Sequence, residues 1–135
     1  MAVIAIASSG ALAGTATIRI LDDCHEKYIK EIGSYKSGPG KTFLVVGLSI
    51  EFAGSSHDSF FVDASVFNAT VDGINYPYSM ATFSLDPLGY SPLSTVMLSS
   101  GNKTRGYLAF EVPEGTAAYK IEYVGGEGDI IFLPC

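Results

Sequence analysis

The chain has 135 residues, of which 47% are hydrophobic and 16% are charged. This balance excludes a disordered segment and predicts one globular domain with a core large enough to fold alone. The net charge is −6 without a run of lysine or arginine, so neither nucleic acid nor anionic lipid is an expected partner.

An apolar segment at 1–14 precedes the domain, which we place at 15–135. Residues 1–13 carry no charge and are too few to cross a bilayer, so no membrane span is predicted. They resemble the apolar part of a truncated secretion signal, with a small-x-small pattern at 11–13 but no basic leader. The alternative is a strand, either along its own sheet or donated to a neighbouring subunit through Val3, Ile4 and Ile6.

Alternation of apolar and polar residues predicts β-strands through the first half of the domain. Thr15 to Leu21 is the first strand, and 24–32 is expected to continue it as a bent edge strand. A turn at 37–40 leads into the strongest pattern, 42–52, which predicts a central strand with one fully buried face. The apolar residues of that face are Leu44, Val46, Leu48, Ile50 and Phe52.

The second half of the domain continues in the same way. Asp72-Gly73 predicts a hairpin turn, and the prolines and glycine of 83–92 predict a long ordered loop. Turn signals about every ten residues are typical of an all-β chain, here an immunoglobulin-like antiparallel β-sandwich of seven to nine strands. The predicted strands are 59–63, 66–71, 74–78, 93–98, 104–112, 118–124 and 129–133.

Three motifs resemble a group of secreted bacterial and archaeal domains of unknown function with an immunoglobulin-like sandwich. They are G-x-G-K-T-F-L-V-V-G-L-S-I-E-F at 38–52, V-D-G-I-N-Y at 71–76 and S-G-N-K-T-R-G-Y-L-A-F-E-V-P-E-G at 100–115. The resemblance covers about 15–132 and is most specific in G-x-L-x-F-E-V-P. It implies an exported, often envelope-attached or lipid-anchored domain without an agreed activity. This chain has no cysteine for lipidation directly after its apolar segment.

Two cysteines and two asparagines fit an extracellular setting. Cys24 and Cys135 lie near opposite ends of the domain, and the first and last strands of such sandwiches are commonly neighbours. We therefore expect a disulfide, with two free thiols as the alternative. Asn68 and Asn102 begin glycosylation triplets, and Asn102 is the better acceptor because it falls in a predicted turn.

The sequence predicts no catalytic residue, metal site or cofactor. Ser56, His57 and Asp58 are consecutive, so their side chains point in different directions and do not form a catalytic relay. The two histidines are far apart and give no recognisable ligand spacing.

The aromatic residues around the long loop are the main candidates for partner binding. Tyr76, Tyr78, Phe83 and Tyr90 either form an exposed apolar patch or cover the open edge of the sandwich. We expect a non-catalytic extracellular or cell-surface structural or interaction module. Its partner would be another copy, as in a filament joined through the N-terminal strand, or another surface protein. The alternative is an exported domain that binds a small ligand or a protein as a monomer.

Overall fold

The computed structural model describes residues 14–21, 27–116, 118–125 and 129–133, the last range by its backbone. This part of the chain contains no α-helix and is built from mostly antiparallel sheets, which confirms the all-β prediction. The strands are β1 (Thr15–Ile20), β2 (Lys27–Ile29), β3 (Glu31–Ile32), β4 (Tyr35–Lys36), β5 (Lys41–Ala53), β6 (Ser59–Val62), β7 (Phe67–Val71), β8 (Ile74–Pro77), β9 (Val96–Ser99), β10 (Lys103–Pro113), β11 (Lys120–Tyr123) and β12 (Asp129–Leu133).

A five-stranded sheet organises the fold around β5, the long strand that the alternating pattern predicted. Its order is β10-β5-β1-β12, and β2 pairs with β5 on the same side as β1. β1 and β2 therefore follow one another along the same side of β5, so the predicted continuation of the first strand is confirmed for 27–29, while 22–26 lies outside the described residues. β1 itself is not an edge because β12 pairs with it, and Glu31–Ile32 forms β3, which pairs with β4. β12 runs parallel to β1, which places the first and last described strands side by side.

The inner face of this sheet packs against two smaller sheets and forms the main core. The smaller sheets are β11-β7-β8 and β6-β9. The predicted inward residues of β5 are all buried here, together with alternate residues of β1 and β10, because alternation sends every second side chain to the same face. Four aromatic rings, those of Phe52, Phe60, Tyr123 and Phe67, contact one another in sequence across the layers.

A second core lies on the outer face of the same sheet, at the end where β5 begins. Its buried residues come from β3, β5, β10 and the segment after β8, and we call this group the outer core. Its members are Ile32, Phe43, Val45, Ala81, Leu85 and Ala109. The prediction of one fully buried face on β5 is confirmed, and the opposite face is also buried over part of its length.

Most element boundaries differ from the sequence prediction by one or more residues, and two of these differences have a direct structural cause. The predicted strand 93–98 is shortened to β9 because Leu93 instead donates its backbone N–H to the Tyr107 carbonyl, 3.0 Å away. The predicted strand 66–71 begins one residue later, since 64–66 forms a turn of 3-10 helix. The Asp72-Gly73 hairpin turn is confirmed, with both residues at positive φ.

The described part of the chain includes no helix of sufficient length and apolarity to traverse a membrane.

Candidate functional site

The segment 78–93, which we call the covering loop, lies along the outer edge of β10. Ser79 donates its backbone N–H to the Ala109 carbonyl at 2.7 Å, and Tyr107 donates to the Ser91 carbonyl at 2.9 Å. The Ala109 amide donates to Oγ1 of Thr82 at 3.0 Å. These bonds satisfy an edge that would otherwise be open to pairing with other chains.

Gly106 allows the close approach of the covering loop to β10. A Cβ atom at this position would lie 2.4 Å from Cα of Leu93, which is a steric clash because non-bonded Cβ contacts below 3.0 Å essentially do not occur. Because the obstructing atom belongs to the backbone, the loop would have to move to make room. Gly106 is therefore a packing requirement of this edge and belongs to the G-x-L-x-F-E-V-P motif.

The outward side of the covering loop presents three large apolar side chains. Met80 is 56% exposed, Phe83 52% and Leu88 47%. The backbone beneath them is ordered in two turns of 3-10 helix, Met80–Ser84 and Asp86–Leu88, and is anchored by fully buried Leu85. Apolar side chains on a rigid support are the arrangement that protein contact surfaces use.

The four aromatic residues predicted as one patch occupy different surroundings. Tyr78 and Phe83 meet edge to face with ring centroids 6.0 Å apart, so these two belong together. Tyr76 and Tyr78 also pack partly on the main core, and Tyr90 packs on the outer core, where it contacts the Tyr107 ring at 5.0 Å. The exposed surface is thus centred on Phe83, with Met80 and Leu88 beside it. The sequence prediction did not include Leu88, which is 47% exposed.

Among the described residues, three titratable groups have shifted pKa values, and each shift has a local structural cause. A backbone hydrogen bond from Ser55 lowers the pKa of Asp58, and the Ser65 side chain, followed by Thr95, lowers that of Asp63. Burial raises the pKa of Tyr123. These groups hold a loop, a turn and an inter-sheet contact, respectively.

Two open depressions lie on the surface of the described residues. The larger, about 370 Å³, is lined by the Lys30–Glu114 ion pair together with Tyr28, Thr42, Gly115 and Thr116. The smaller, about 280 Å³, lies between β7 and β11. Neither is walled by the aromatic residues of the covering loop. Across the described residues, no group of three or more His, Cys, Asp or Glu side chains is arranged to hold a metal ion.

The remaining predicted site residues are only partly described. Val3, Ile4, Ile6, Cys24 and Cys135 lie outside the described residues. Asn102 is exposed in the turn between β9 and β10. Asn68 is half-buried in β7, the middle strand of its sheet, and Thr70 of its triplet is hydrogen-bonded to Asn75 and Glu122.

Sequence reasoning also missed a group of basic residues on the outer face of the five-stranded sheet. Arg19 lies in β1, and Lys103 and Arg105 lie in β10, on opposite sides of β5. Alternation alone places each of them outward, but their proximity depends on which strands are neighbours, and a single sequence does not give that order.

The described residues form an all-β domain with an apolar surface on the covering loop and a group of basic residues on the outer face of the five-stranded sheet. The chain belongs to a family of domains of unknown function, DUF4352, whose model matches residues 22–130. This confirms the predicted resemblance at the level of a domain of unknown function. No curated protein and no solved structure shows a significant match to the chain.

Proposed function

We propose that this protein is a non-catalytic interaction module that acts at the cell surface or outside the cell. The single observation that carries the proposal is the exposed apolar surface formed by Met80, Phe83 and Leu88 on the covering loop. An apolar cluster with a polar surround is the usual centre of a protein–protein contact.

The hydrogen bonding of the covering loop strengthens this proposal. The loop is joined to β10 through Ser79, Thr82, Ser91 and Leu93, so its conformation is fixed before a partner arrives. A preorganised surface loses less conformational entropy on binding than a flexible one. The apolar side chains therefore contribute their burial to affinity with little ordering cost.

A non-catalytic role is consistent with the titratable groups of the described residues. The shifted carboxylates, Asp58 and Asp63, are occupied in capping their own loops. Catalytic groups instead share a cleft in which their perturbed pKa values serve a substrate.

We also propose that the fold is an immunoglobulin-like β-sandwich. Two layers enclose the main core. Nine strands belong to these layers when β1 and β2 are counted as one interrupted strand and the short β3 and β4 are left aside. The adjacent first and last strands match the arrangement expected for this architecture.

Export, a Cys24–Cys135 disulfide and glycosylation of Asn102 complete the proposal. Cys24 follows β1 and Cys135 follows β12, and these neighbouring strands run in the same direction. In the sequence, each cysteine therefore comes shortly after one of two neighbouring strands whose C-terminal ends point the same way. Asn102 lies in an exposed turn, where a glycan would meet no packed neighbour.

A second candidate is self-assembly through strand addition. It is favoured by the order of the five-stranded sheet, because β12 is at its edge and its outer side has no partner strand among the described residues. Filaments that disappear when the chain starts at Thr15 would support this candidate. A monomer in both forms would remove it.

Site-specific photo-crosslinking tests the leading proposal in the cells that produce the protein. A photoreactive residue at Phe83 is expected to give a discrete adduct, whereas one at Met97, which is equally exposed on β9, is expected to give none. Sedimentation of the purified chain then shows whether the adduct is a second copy. Absence of an adduct at Phe83, or identical adducts at both positions, would contradict a contact role for the loop.

A further inference from the structure

The basic side chains divide into a paired group and an unpaired group. All eight lysines and arginines are described, and five of them have an intramolecular partner. Arg19, Lys103 and Arg105 make no ion pair or ring contact with the described residues, and all three are exposed. The partners of the other five are Glu114 for Lys30, Glu31 for Lys36, Glu122 for Lys120, and the rings of Tyr90 for Lys27 and Tyr76 for Lys41.

The three unpaired cations lie on one surface, which we call the basic patch. Ser49 of β5 is opposite both Arg19 and Arg105, so the two arginines flank it from neighbouring strands on the outer face. Two inter-strand spacings put their Cα atoms about 10 Å apart. Lys103 lies two residues before Arg105 in β10, on the same face of the sheet and opposite Glu51.

The basic patch contrasts with the charge of the whole chain. The protein carries 14 acidic and 8 basic residues, yet three basic residues meet here with Glu51 as the acidic side chain among the described ones. Both arginines of the protein are in the patch. A guanidinium binds a carboxylate or sulfate through two parallel hydrogen bonds, a geometry that lysine lacks.

Among the described residues, the outward positions of β5 within the patch, Ser49 and Glu51, are polar. Gly47, the next outward residue of β5, is covered by the Tyr107 ring, since a Cβ there would lie 2.5 Å from Cε2 of that ring. On this side of the patch the described residues therefore offer no pocket for a side chain of a protein partner. Protein contact sites draw their affinity from desolvated apolar anchors, which the described side chains of the patch do not supply.

From this geometry we propose that the basic patch binds an acidic polysaccharide. Two arginines about 10 Å apart meet two anionic groups of one extended chain, and the Ser49 hydroxyl between them is a hydrogen-bond partner for the sugar hydroxyls. The site is independent of the covering loop, so this activity adds to the proposed contact role.

Nucleic acid and anionic membranes fit the surface less well. Single-stranded nucleic acid binding depends on exposed rings on which bases stack, and the Tyr107 ring beside the patch is engaged by Gly47 and Tyr90. A charged lipid surface would face the whole acidic molecule, whereas a thin polymer meets the patch alone.

Affinity electrophoresis tests the proposal with the full chain in gels that contain polygalacturonate, heparin or neutral dextran. We expect retardation by the two acidic polymers and none by dextran, decreasing as salt is raised. The double variant Arg19→Gln with Arg105→Gln is expected to lose about tenfold or more in affinity, because two charge-assisted contacts are removed. The control, Lys36→Gln with Lys120→Gln, has the same net charge and is expected to bind like the native chain.

Three results would overturn the proposal. The first is equal retardation of the native chain by dextran or by none of the polymers. The second is an equal loss of binding in both double variants, which would indicate net charge alone. The third is tighter binding to oligothymidylate or polyglutamate than to either polysaccharide. None of these results bears on the covering loop, because the crosslinking experiment reports on Phe83 separately.

Discussion

The two faces of the five-stranded sheet are buried in different ways. The inner face is covered by two other sheets along its whole length, and its residues repeat at every second position of β1, β5 and β10. The outer face is covered only where the outer core lies, and beyond Gly47 it carries the polar row of Ser49 and Glu51. One strand, β5, thus contributes to a continuous core on one side and to a divided surface on the other.

The difference shows how much of a buried surface depends on the strand itself. On the inner face, neighbouring strands supply apolar residues in register, so the core follows from the alternation. On the outer face, Val45 and Ala109 are buried because the covering loop places Ala81 and Leu85 over them. A loop with 3-10 turns therefore performs the role that a further strand would perform elsewhere.

The largest loss of stability is expected when a buried side chain is truncated, and the two cores are expected to differ in the size of that loss. Phe110→Ala, at a fully buried position of the inner face, is expected to lower the free energy of unfolding by about 3–5 kcal/mol. Leu85→Ala, equally buried in the outer core, is expected to cost about 2–3 kcal/mol, because a loop collapses around a cavity more readily than paired strands do. Urea unfolding of both variants measures the difference.

Met97→Ala is the control for these truncations, because this residue is 58% exposed and should change stability by no more than about 0.5 kcal/mol. If Leu85→Ala costs as much as Phe110→Ala, the outer core is as rigid as the inner one and the distinction between the two faces does not hold for stability.

The same contrast explains which features the sequence predicted. The inward residues of 42–52 and 104–112 followed from alternation, and the Asp72-Gly73 turn followed from the conformations that glycine and aspartate tolerate. Val45 lies on the other face of the alternating pattern, and its burial depends on residues about 40 positions away in the covering loop. A local sequence pattern does not show which distant residues will pack on a given strand position.

The candidate sites were predictable to a lesser degree. Phe83 was identified because aromatic residues cluster around two prolines and a glycine, whereas Leu88 is exposed through the direction of one 3-10 turn. The basic patch needs the strand order β10-β5-β1, in which residues 19 and 105 become neighbours of Ser49. Strand order is a global property, since it depends on how all the strands pack.

A smaller effect is expected from Thr82, the buried hydroxyl that joins the covering loop to β10. Its Oγ1 accepts from the Ala109 amide at 3.0 Å and donates to the Ala109 carbonyl at 3.4 Å. Thr82→Val keeps the shape but leaves the amide unpaired, so a loss of about 1–3 kcal/mol is expected. Hydrogen exchange at Ala109 should accelerate, while Thr17→Val, at a half-buried outer position, should leave that amide unchanged. Unchanged exchange in Thr82→Val would mean that the loop is held by packing alone.

The smallest expected effect is a dependence of stability on pH that arises at Asp63, in the layer of small sheets. Asp63 caps the turn between β6 and β7, accepting from the Ser65 amide at 3.1 Å and from the Ser65 and Thr95 hydroxyls. The Ser65 side chain, followed by Thr95, lowers the pKa of Asp63 below its ordinary value of 3.8. A lowered pKa in the folded state means that the carboxylate stabilises the protein above the unfolded pKa and loses this effect as pH falls through the folded value.

Urea unfolding at pH 7 and near pH 3 measures this contribution in the native chain and in Asp63→Asn. At pH 7 the variant is expected to be less stable by about 1 kcal/mol, because the amide is a weaker acceptor for the cap. The difference should shrink as pH falls below 3.8, because the stabilisation by the carboxylate is lost progressively as pH falls from the unfolded toward the lowered folded pKa. Thr82→Val has no titrating group at its site, so its difference from the native chain should stay constant over the same range. A pH-independent difference for Asp63→Asn would show that the charge of Asp63 contributes nothing to the turn.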